Sequence, residues 1–216
     1  MTAMKQYYIT TAKPKQFRPG YVEYALYPFS EDISREEARV ISRVLCSLHA
    51  SNEKSITAVL FIDHVIKNGF IRTLNKDHRG LWSLEHKRKG IHIFRASLHE
   101  ELLTEFIYFV WRLLAGTELY FPISFSRLEE QEKKFLVDFC VKKMTHRFPL
   151  SLILDRVLFD QFFPIVATWG DDGDELIVGC EFCVRRKVLE CIQHALERQG
   201  IAFSCRTEGG FMVSED

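Results

Sequence analysis

The sequence has no apolar run close to the roughly 20 residues that a membrane-spanning helix needs. Its first residues also lack the apolar core of a secretory signal peptide. We therefore expect a soluble protein that is not secreted and does not bind membranes. The six cysteines are then expected as reduced thiols in a cytosolic or nuclear compartment rather than as disulfides.

The chain has no net charge, because 29 basic residues balance 29 acidic ones. Overall charge therefore indicates neither a nucleic-acid nor a membrane partner. The distribution is uneven: Met1–Gly20 and Lys67–Arg95 are basic, whereas Glu129–Glu132 and Asp171–Glu175 are acidic. Solvated loops explain this pattern most simply, and an anion-binding face in the basic half is the alternative.

Recognisable catalytic motifs are missing: there is no nucleophile elbow, phosphate-binding loop, dinucleotide fingerprint or HExxH helix. Cys46 and His49 lie within one helical turn, but no third group is in view to orient them. His99 and Glu101 are two residues apart, which places them on opposite sides of a helix and not around one iron ion. We predict a protein without an active site and without a cofactor.

The apolar pattern predicts strands that alternate with helices. With 47% apolar residues, the chain can bury a sizeable core. Ser34, followed three residues later by Glu37, forms a capping box that starts the first helix. The predicted strands are Tyr21–Phe29, Ile56–Ile62, Leu81–Leu84, Ile91–Phe94, Leu119–Phe125, Leu150–Leu154, Phe162–Thr168, Glu175–Glu181 and Ile201–Cys205. The predicted helices are Ser34–His49, Ser97–Leu114, Leu128–Met144 and Val184–Gln199.

This order predicts an α+β fold in which helices pack on mixed sheets. The order β-α-β-β-α-β occurs about twice, which suggests two degenerate units. We divide the chain into a basic segment over 1–20, a first unit over 21–117 and a second unit over 118–216, with one fused domain as the alternative.

Four of the six cysteines lie between Gly179 and Glu208, which is a density typical of zinc sites. However, Cys191 follows Cys183 by eight residues of helix, or about 12 Å of rise, whereas ligands of one zinc ion lie within about 4 Å of each other. We therefore predict structural thiols and no metal. Cys180 and Cys183 are the pair that would bind a metal if one were present.

The segment Phe135–Met144 places Leu136, Cys140 and Met144 on one face of a predicted helix. Such anchors insert into a partner's groove, and the spacing resembles the elongin-binding box of cullin ubiquitin-ligase adaptors. An ordinary core helix satisfies the same spacing and is the alternative interpretation.

Four short motifs, in the same order along the chain, resemble the adenovirus early region four 34-kilodalton protein family. They are Ser34-Arg35-Glu36-Glu37, Trp82-Ser83-Leu84, Cys183-Val184-Arg185-Arg186 and Phe203-Ser204-Cys205-Arg206-Thr207-Glu208. The last motif is the most specific. The resemblance spans about Pro28 to Glu208, and this chain lacks the Cys/His cluster that follows the tryptophan in that family.

The resemblance implies a viral early regulatory protein of the host nucleus and cytoplasm. Such an adaptor recruits a host elongin/cullin ubiquitin ligase and, together with a second viral early protein, directs the degradation of host defence factors. By the same resemblance, Leu136, Cys140 and Met144 are the elongin anchors, and Arg185 and Arg186 contact viral or host partners.

The competing hypothesis is an RNA-binding or RNA-processing module made of two ferredoxin-like units. In it, Lys87, Arg88 and Lys89 bind phosphate, and His49 or His86 acts as a general acid or base. Asp77 with Glu85 and Lys87 resembles the acids and lysine of a nuclease, although a mixed-charge surface loop is favoured. This hypothesis predicts RNA affinity that falls steeply with salt.

Overall fold

The computed structural model describes residues 5–12, 21–30, 32–49, 55–61, 82–88, 91–97, 99–113, 119–123, 131, 134, 165–169 and 174–207. Within these ranges, nine strands form one sheet and three helices with described bounds pack on it. The α+β class predicted from the sequence is confirmed.

The sheet is mixed but mainly antiparallel. Its order is β4-β5-β3-β6-β7-β8-β2-β1-β9. Only the last pair, β1 with β9, runs parallel among the described strand pairs. The strands are β1 (Tyr7–Ala12), β2 (Tyr21–Tyr27), β3 (Ser55–Phe61), β4 (Trp82–Arg88), β5 (Ile91–Ser97), β6 (Leu119–Pro122), β7 (Ile165–Trp169), β8 (Leu176–Glu181) and β9 (Phe203–Thr207).

Helix α1 (Arg35–Leu48) begins with the predicted capping box. The Glu37 amide donates to Ser34 Oγ at 3.1 Å, and the Glu37 carboxylate accepts from the Ser34 amide at 2.8 Å. Together these bonds give acceptors to two backbone N–H groups that have no partner within the helix at its N-terminus. The predicted apolar stripe is buried along its whole length: Val40, Ile41, Val44, Leu45 and Leu48.

Helices α2 (Glu100–Leu113) and α3 (Arg185–Glu197) each bury one apolar stripe. In α2 the stripe is Leu103, Phe106, Ile107 and Val110, and in α3 it is Val188, Ile192, Ala195 and Leu196. The predicted stop of α3 at Gly200 is also correct. Gly200 adopts φ +64°, its amide donates to the Glu197 carbonyl, and the Ile201 amide donates to the Leu196 carbonyl, which is a Schellman motif.

All three helices lie on the same face of the sheet. Each helix links two strands that run in the same direction in the sheet. Helix α1 links β2 to β3, α2 links β5 to β6, and α3 links β8 to β9. Crossovers of this kind are right-handed, and these directions then place every helix on one side. The contacts agree, because α1 packs against both α2 and α3.

The core lies between this helical layer and the sheet. Side chains alternate along each strand, and the residues on the helix side of β1, β2 and β8 are buried: Tyr7, Ile9, Val22, Tyr24, Leu26, Leu176, Val178 and Cys180. On the opposite face, the centre of the sheet is closed too, because Val166 is 0% exposed and Thr57 is 3% exposed. Tyr8 and Tyr27 of β1 and β2, also on that face, are only half-buried.

Strand β1 corrects the assignment of residues 1–20 to a basic terminal segment. Tyr7–Ala12 instead lies inside the sheet, between β2 and β9. Its pattern Tyr-Tyr-Ile-Thr-Thr is short, but β-branched and aromatic residues favour strands. The pairing with β9 is a contact between the two ends of the described chain, and no local sequence pattern reports it.

Some of the remaining predicted elements are described by the structure, and others lie outside the described residues. Nearly all the strands occur within a few residues of their predicted bounds. The strand Leu150–Leu154 lies outside the described residues, and of the helix Leu128–Met144 only Gln131 and Lys134 are described, both helical. The two-unit division stays a prediction, and strands from both predicted units lie side by side in the sheet, as in the β8–β2 pair.

In the part of the chain that the structure describes, no helix is long and apolar enough to cross a membrane.

Candidate partner-binding surface

The corner between β8 and α3 exposes the side chains that were predicted to contact partners. Strand β8 is held by β2 on one side and β7 on the other and ends at Glu181. The chain then makes one turn of 3-10 helix, Phe182–Val184, before α3 starts at Arg185. This turn carries Phe182 outward, where it is 52% exposed.

Arg185 covers the ring of Phe182. Its guanidinium carbon lies 3.5 Å from the ring centroid, and Nη1 donates to the Phe182 carbonyl oxygen at 2.9 Å. Stacking of this kind is worth about 0.5–1 kcal/mol at an exposed site. It also holds both side chains in one arrangement before any partner binds.

Tyr24 anchors this arrangement to the sheet. Its hydroxyl donates to the Arg185 carbonyl oxygen at 3.2 Å, so the first residue of α3 is tied to β2. Burial raises the pKa of Tyr24 to about 12, with Cys180 and Cys205 adding to the rise and Arg185 opposing it. The hydroxyl therefore keeps its proton, and can donate, throughout the neutral range.

The first turn of α3 is basic throughout. Arg185, Arg186 and Lys187 are exposed, the turn contains no acid, and Val184 provides no side-chain cap. Positive charge at a helix N-terminus opposes the helix dipole by about 0.3–1 kcal/mol per group. The helix dipole therefore does not favour these three residues at this position.

Arg186 points along the helix surface. Its Nε donates to Glu190 Oε1 at 3.1 Å, and the two side chains are 80% and 61% exposed. An exposed pair four residues apart is worth about 0.3–0.5 kcal/mol. Arg186 can therefore leave Glu190 for a partner at little cost.

The cysteines of this region occupy separate environments. Cys180 lies in the core, and burial raises the pKa of its thiol to about 12, with smaller contributions from Cys183 and Glu181. Cys183 is exposed and donates to Glu181 Oε2 at 3.5 Å. Among the described residues, no group of three or more His, Cys, Asp or Glu side chains is arranged to hold a metal ion. Cys180 and Cys183 thus differ in exposure, one buried in the core and the other at the surface.

The other predicted site residues do not join this surface. Leu136, Cys140, Met144 and Lys89 lie outside the described residues. Lys87 and Arg88 are placed by their backbone at the end of β4, an edge of the sheet five interstrand steps from β8. At about 4.8 Å per step this is roughly 24 Å, so they and the Arg185 corner form two separate regions.

The residues considered for catalysis lie on two different elements, Cys46 and His49 at the end of α1 and Glu85 and His86 on β4. Burial, with a smaller effect of Glu100, raises the pKa of Cys46 to about 11, which keeps this thiol protonated and weakly nucleophilic. His49 Nδ1 donates to the Leu45 carbonyl at 2.7 Å. His86 and Glu85 follow the backbone of β4, where the register shifts between Leu84 and His86, and Asp77 lies outside the described residues.

The sequence predicts Arg185 and Arg186 as partner contacts, which stays a prediction, and it does not single out Phe182. One sequence feature could have indicated Phe182. It is an aromatic residue that directly follows an apolar strand, β8, and precedes the basic first turn of a helix, α3. In the sequence, Phe182 lies between Cys180 and Cys183 and so forms part of the cysteine pattern. Its exposure depends on the 3-10 turn, which the sequence alone does not specify.

Comparisons with known proteins do not identify a family. No family model matches the chain, and no curated protein is similar to it. Among solved structures, the aspartate kinase of Clostridium acetobutylicum is 13% identical; the match covers 66% of this chain and 33% of that enzyme, with a TM-score of 0.19. The chain thus spans about a third of that enzyme's length, and so low a score supports no inference about fold or activity.

Proposed function

We propose that this protein is an adaptor that binds another protein through the surface formed by Phe182, Arg185 and Arg186, here called the Phe182 surface. The observation that carries the proposal is the exposed Phe182 ring covered by the Arg185 guanidinium at 3.5 Å. Among the described residues, Phe182 is the exposed large hydrophobic side chain.

The chemistry of the Phe182 surface is that of an interaction hot spot. Aromatic residues and arginine are enriched at the centres of protein interfaces. A ring and a guanidinium that are already stacked lose little conformational freedom on binding. The basic first turn of α3 beside them favours a partner whose contacting surface is acidic.

The resemblance to the adenovirus early region four 34-kilodalton family suggests what the partners are. On that basis the protein is a viral early regulatory protein that recruits a host elongin/cullin ubiquitin ligase, together with a second viral early protein. Leu136, Cys140 and Met144 would bind elongin, which leaves the Phe182 surface for the second viral protein or a host target.

Affinity purification with quantitative mass spectrometry from transfected host cells tests this function. Wild type is compared with Phe182→Ser and Arg185→Gln, with the double variant Leu136→Ala/Cys140→Ala, and with Arg39→Gln, which removes an exposed arginine of α1 as a matched control. We expect the double variant to lose elongin and cullin, whereas the Phe182 and Arg185 variants lose a different set of proteins.

Two results would overturn the proposal. If wild type captures no protein beyond those captured by an unrelated bait, the protein is not an adaptor. If Phe182→Ser captures the same proteins at the level of the Arg39→Gln control, the Phe182 surface is not the interface. Thermal melting of each variant checks that lost capture does not reflect unfolding.

A further inference from the structure

The end of the sheet formed by β2, β1 and β9 carries a second surface, on the face opposite the helices. Tyr8 lies directly across from Tyr27 on one side and from Ser204 on the other. In the next row on the same face, Thr10 lies across from Arg206. These five residues define the tyrosine face.

The aromatic groups of the tyrosine face are mutually arranged. The ring centroids of Tyr8 and Tyr27 are 5.7 Å apart with planes inclined by 32°, and the Arg206 guanidinium carbon lies 4.0 Å from the centroid of Tyr8. Arg206 is exposed and the two tyrosines are half-buried. No carboxylate of the described residues pairs with Arg206.

Core packing does not account for this arrangement. At the centre of the same face Val166 and Thr57 are almost fully buried, so that region is covered, whereas the rings at the β2–β1–β9 end keep contact with solvent. The residues on the helix side of these strands, such as Ile9 and Leu26, already supply the buried layer.

We propose that the tyrosine face binds a single-stranded polynucleotide. The half-buried rings of Tyr8 and Tyr27 lie on neighbouring strands and keep contact with solvent, and unpaired bases stack on aromatic side chains placed in this way on the sheets of single-strand binding modules. An arginine beside the rings can pair with a phosphate or stack on a base, and the hydroxyls of Thr10 and Ser204 supply hydrogen bonds. Tyrosine and arginine also occur at protein interfaces, but the polar surroundings of these rings, Thr10, Ser204 and an Arg206 that no described carboxylate pairs, favour an anionic ligand with flat bases.

This site is distinct from the Phe182 surface and from the lysine and arginine residues of β4. Glu181, the residue before Phe182, pairs with Tyr21 at one end of β2, and Tyr27 lies at the other end of β2. Six residues at 3.3 Å each separate Tyr21 from Tyr27 by roughly 20 Å. Strand β4 is eight interstrand steps from β9, or roughly 38 Å.

Fluorescence anisotropy with the full chain tests the proposal. The probes are labelled twelve-nucleotide oligouridylate RNA, oligodeoxyuridylate DNA of the same length, and an RNA duplex. We expect both single strands to bind more tightly than the duplex, and the ratio of the RNA and DNA affinities reports whether a 2′-hydroxyl is recognised. Tyr8→Leu, Tyr27→Leu and Arg206→Gln should each weaken binding by about fivefold or more, the low end of the loss of one stacked base.

Arg39→Gln is the charge-matched control on another face, and Phe182→Ser should bind as wild type does. Crosslinking of 4-thiouridine oligonucleotides to unmodified protein gives a second measurement that needs no folded variant, and we expect adducts at Tyr8 or Tyr27. The proposal is wrong if wild type binds neither single strand, if Arg39→Gln weakens binding as much as Arg206→Gln, or if adducts form only elsewhere. A negative result in this experiment does not affect the proposal for the Phe182 surface.

Discussion

The ammonium group of Lys5 forms an ion pair with the carboxylate of Glu37, which joins the residues just before β1 to the first turn of α1. The Glu37 side chain is 5% exposed. It also accepts from the Ser30 amide at 3.0 Å, the Ser30 hydroxyl at 2.9 Å and the Ser34 amide at 2.8 Å. One buried carboxylate therefore fixes the start of the chain, the end of β2 and the start of α1 relative to each other.

We predict that Glu37→Ala lowers the free energy of unfolding by about 2–3 kcal/mol, because it leaves several donors without the charged acceptor they surround. Urea denaturation followed by circular dichroism measures the change. Glu36→Ala is the matched control, since Glu36 is exposed in the same turn and should cost less than about 1 kcal/mol. Equal losses for the two variants would contradict the role given to Glu37.

The Glu37 carboxylate should make the free energy of unfolding depend on pH in the acidic range. Burial alone would raise the pKa of Glu37, but hydrogen bonds from Lys5, Ser34 and Ser30 outweigh it and hold the pKa below its usual range. Because the folded pKa is lowered, the stabilisation is present above the unfolded value of about 4.3 and is lost as pH falls through the folded value. Unfolding measured between pH 3 and 7 should show wild type converging on Glu37→Gln only on the acid side, and parallel curves would contradict this.

Local patterns predicted much of this fold. The capping box at Ser34 and the stripe from Val40 to Leu48 are both sequence-local, and both are confirmed. The Gly200 stop is equally local. These features depend on residues within a few positions of each other, where backbone geometry leaves few choices.

The position of β1 and the two surfaces depend instead on tertiary pairing. Tyr8 meets Tyr27 and Arg206 only because β1 lies between β2 and β9, and no periodicity in residues 7–12 specifies those neighbours. The exposure of Phe182 is equally hard to predict, because the residues next to it in the sequence do not specify whether its side chain is buried. The resemblance that pointed to Arg185 and Arg186 did not include Phe182, and their contact with partners stays a prediction.

Gly200 gives a prediction about backbone conformation alone. Its φ is +64°, and a Cβ built there meets no atom within 4 Å, so crowding does not penalise a larger residue. Gly200→Ala should therefore cost about 1–2 kcal/mol, the penalty of a left-handed backbone for an L-residue. Gly200→Asn should cost less, because asparagine tolerates this conformation. Thermal and urea unfolding of both variants measure the difference, and an alanine variant as stable as wild type would contradict it.

The cysteines should differ sharply in their reaction with iodoacetamide at neutral pH. Cys183 and Cys205 are exposed, whereas Cys180 is buried and Cys46 is half-buried. Burial raises the thiol pKa to about 12 at Cys180 and to about 11 at Cys46, so these two lack both the thiolate and the access that alkylation needs. Peptide mapping of the native protein should find Cys183 and Cys205 modified first, and Cys180 modified at the same rate only after unfolding in urea. Early modification of Cys180 in the native protein would mean that β8 does not occupy the core as described.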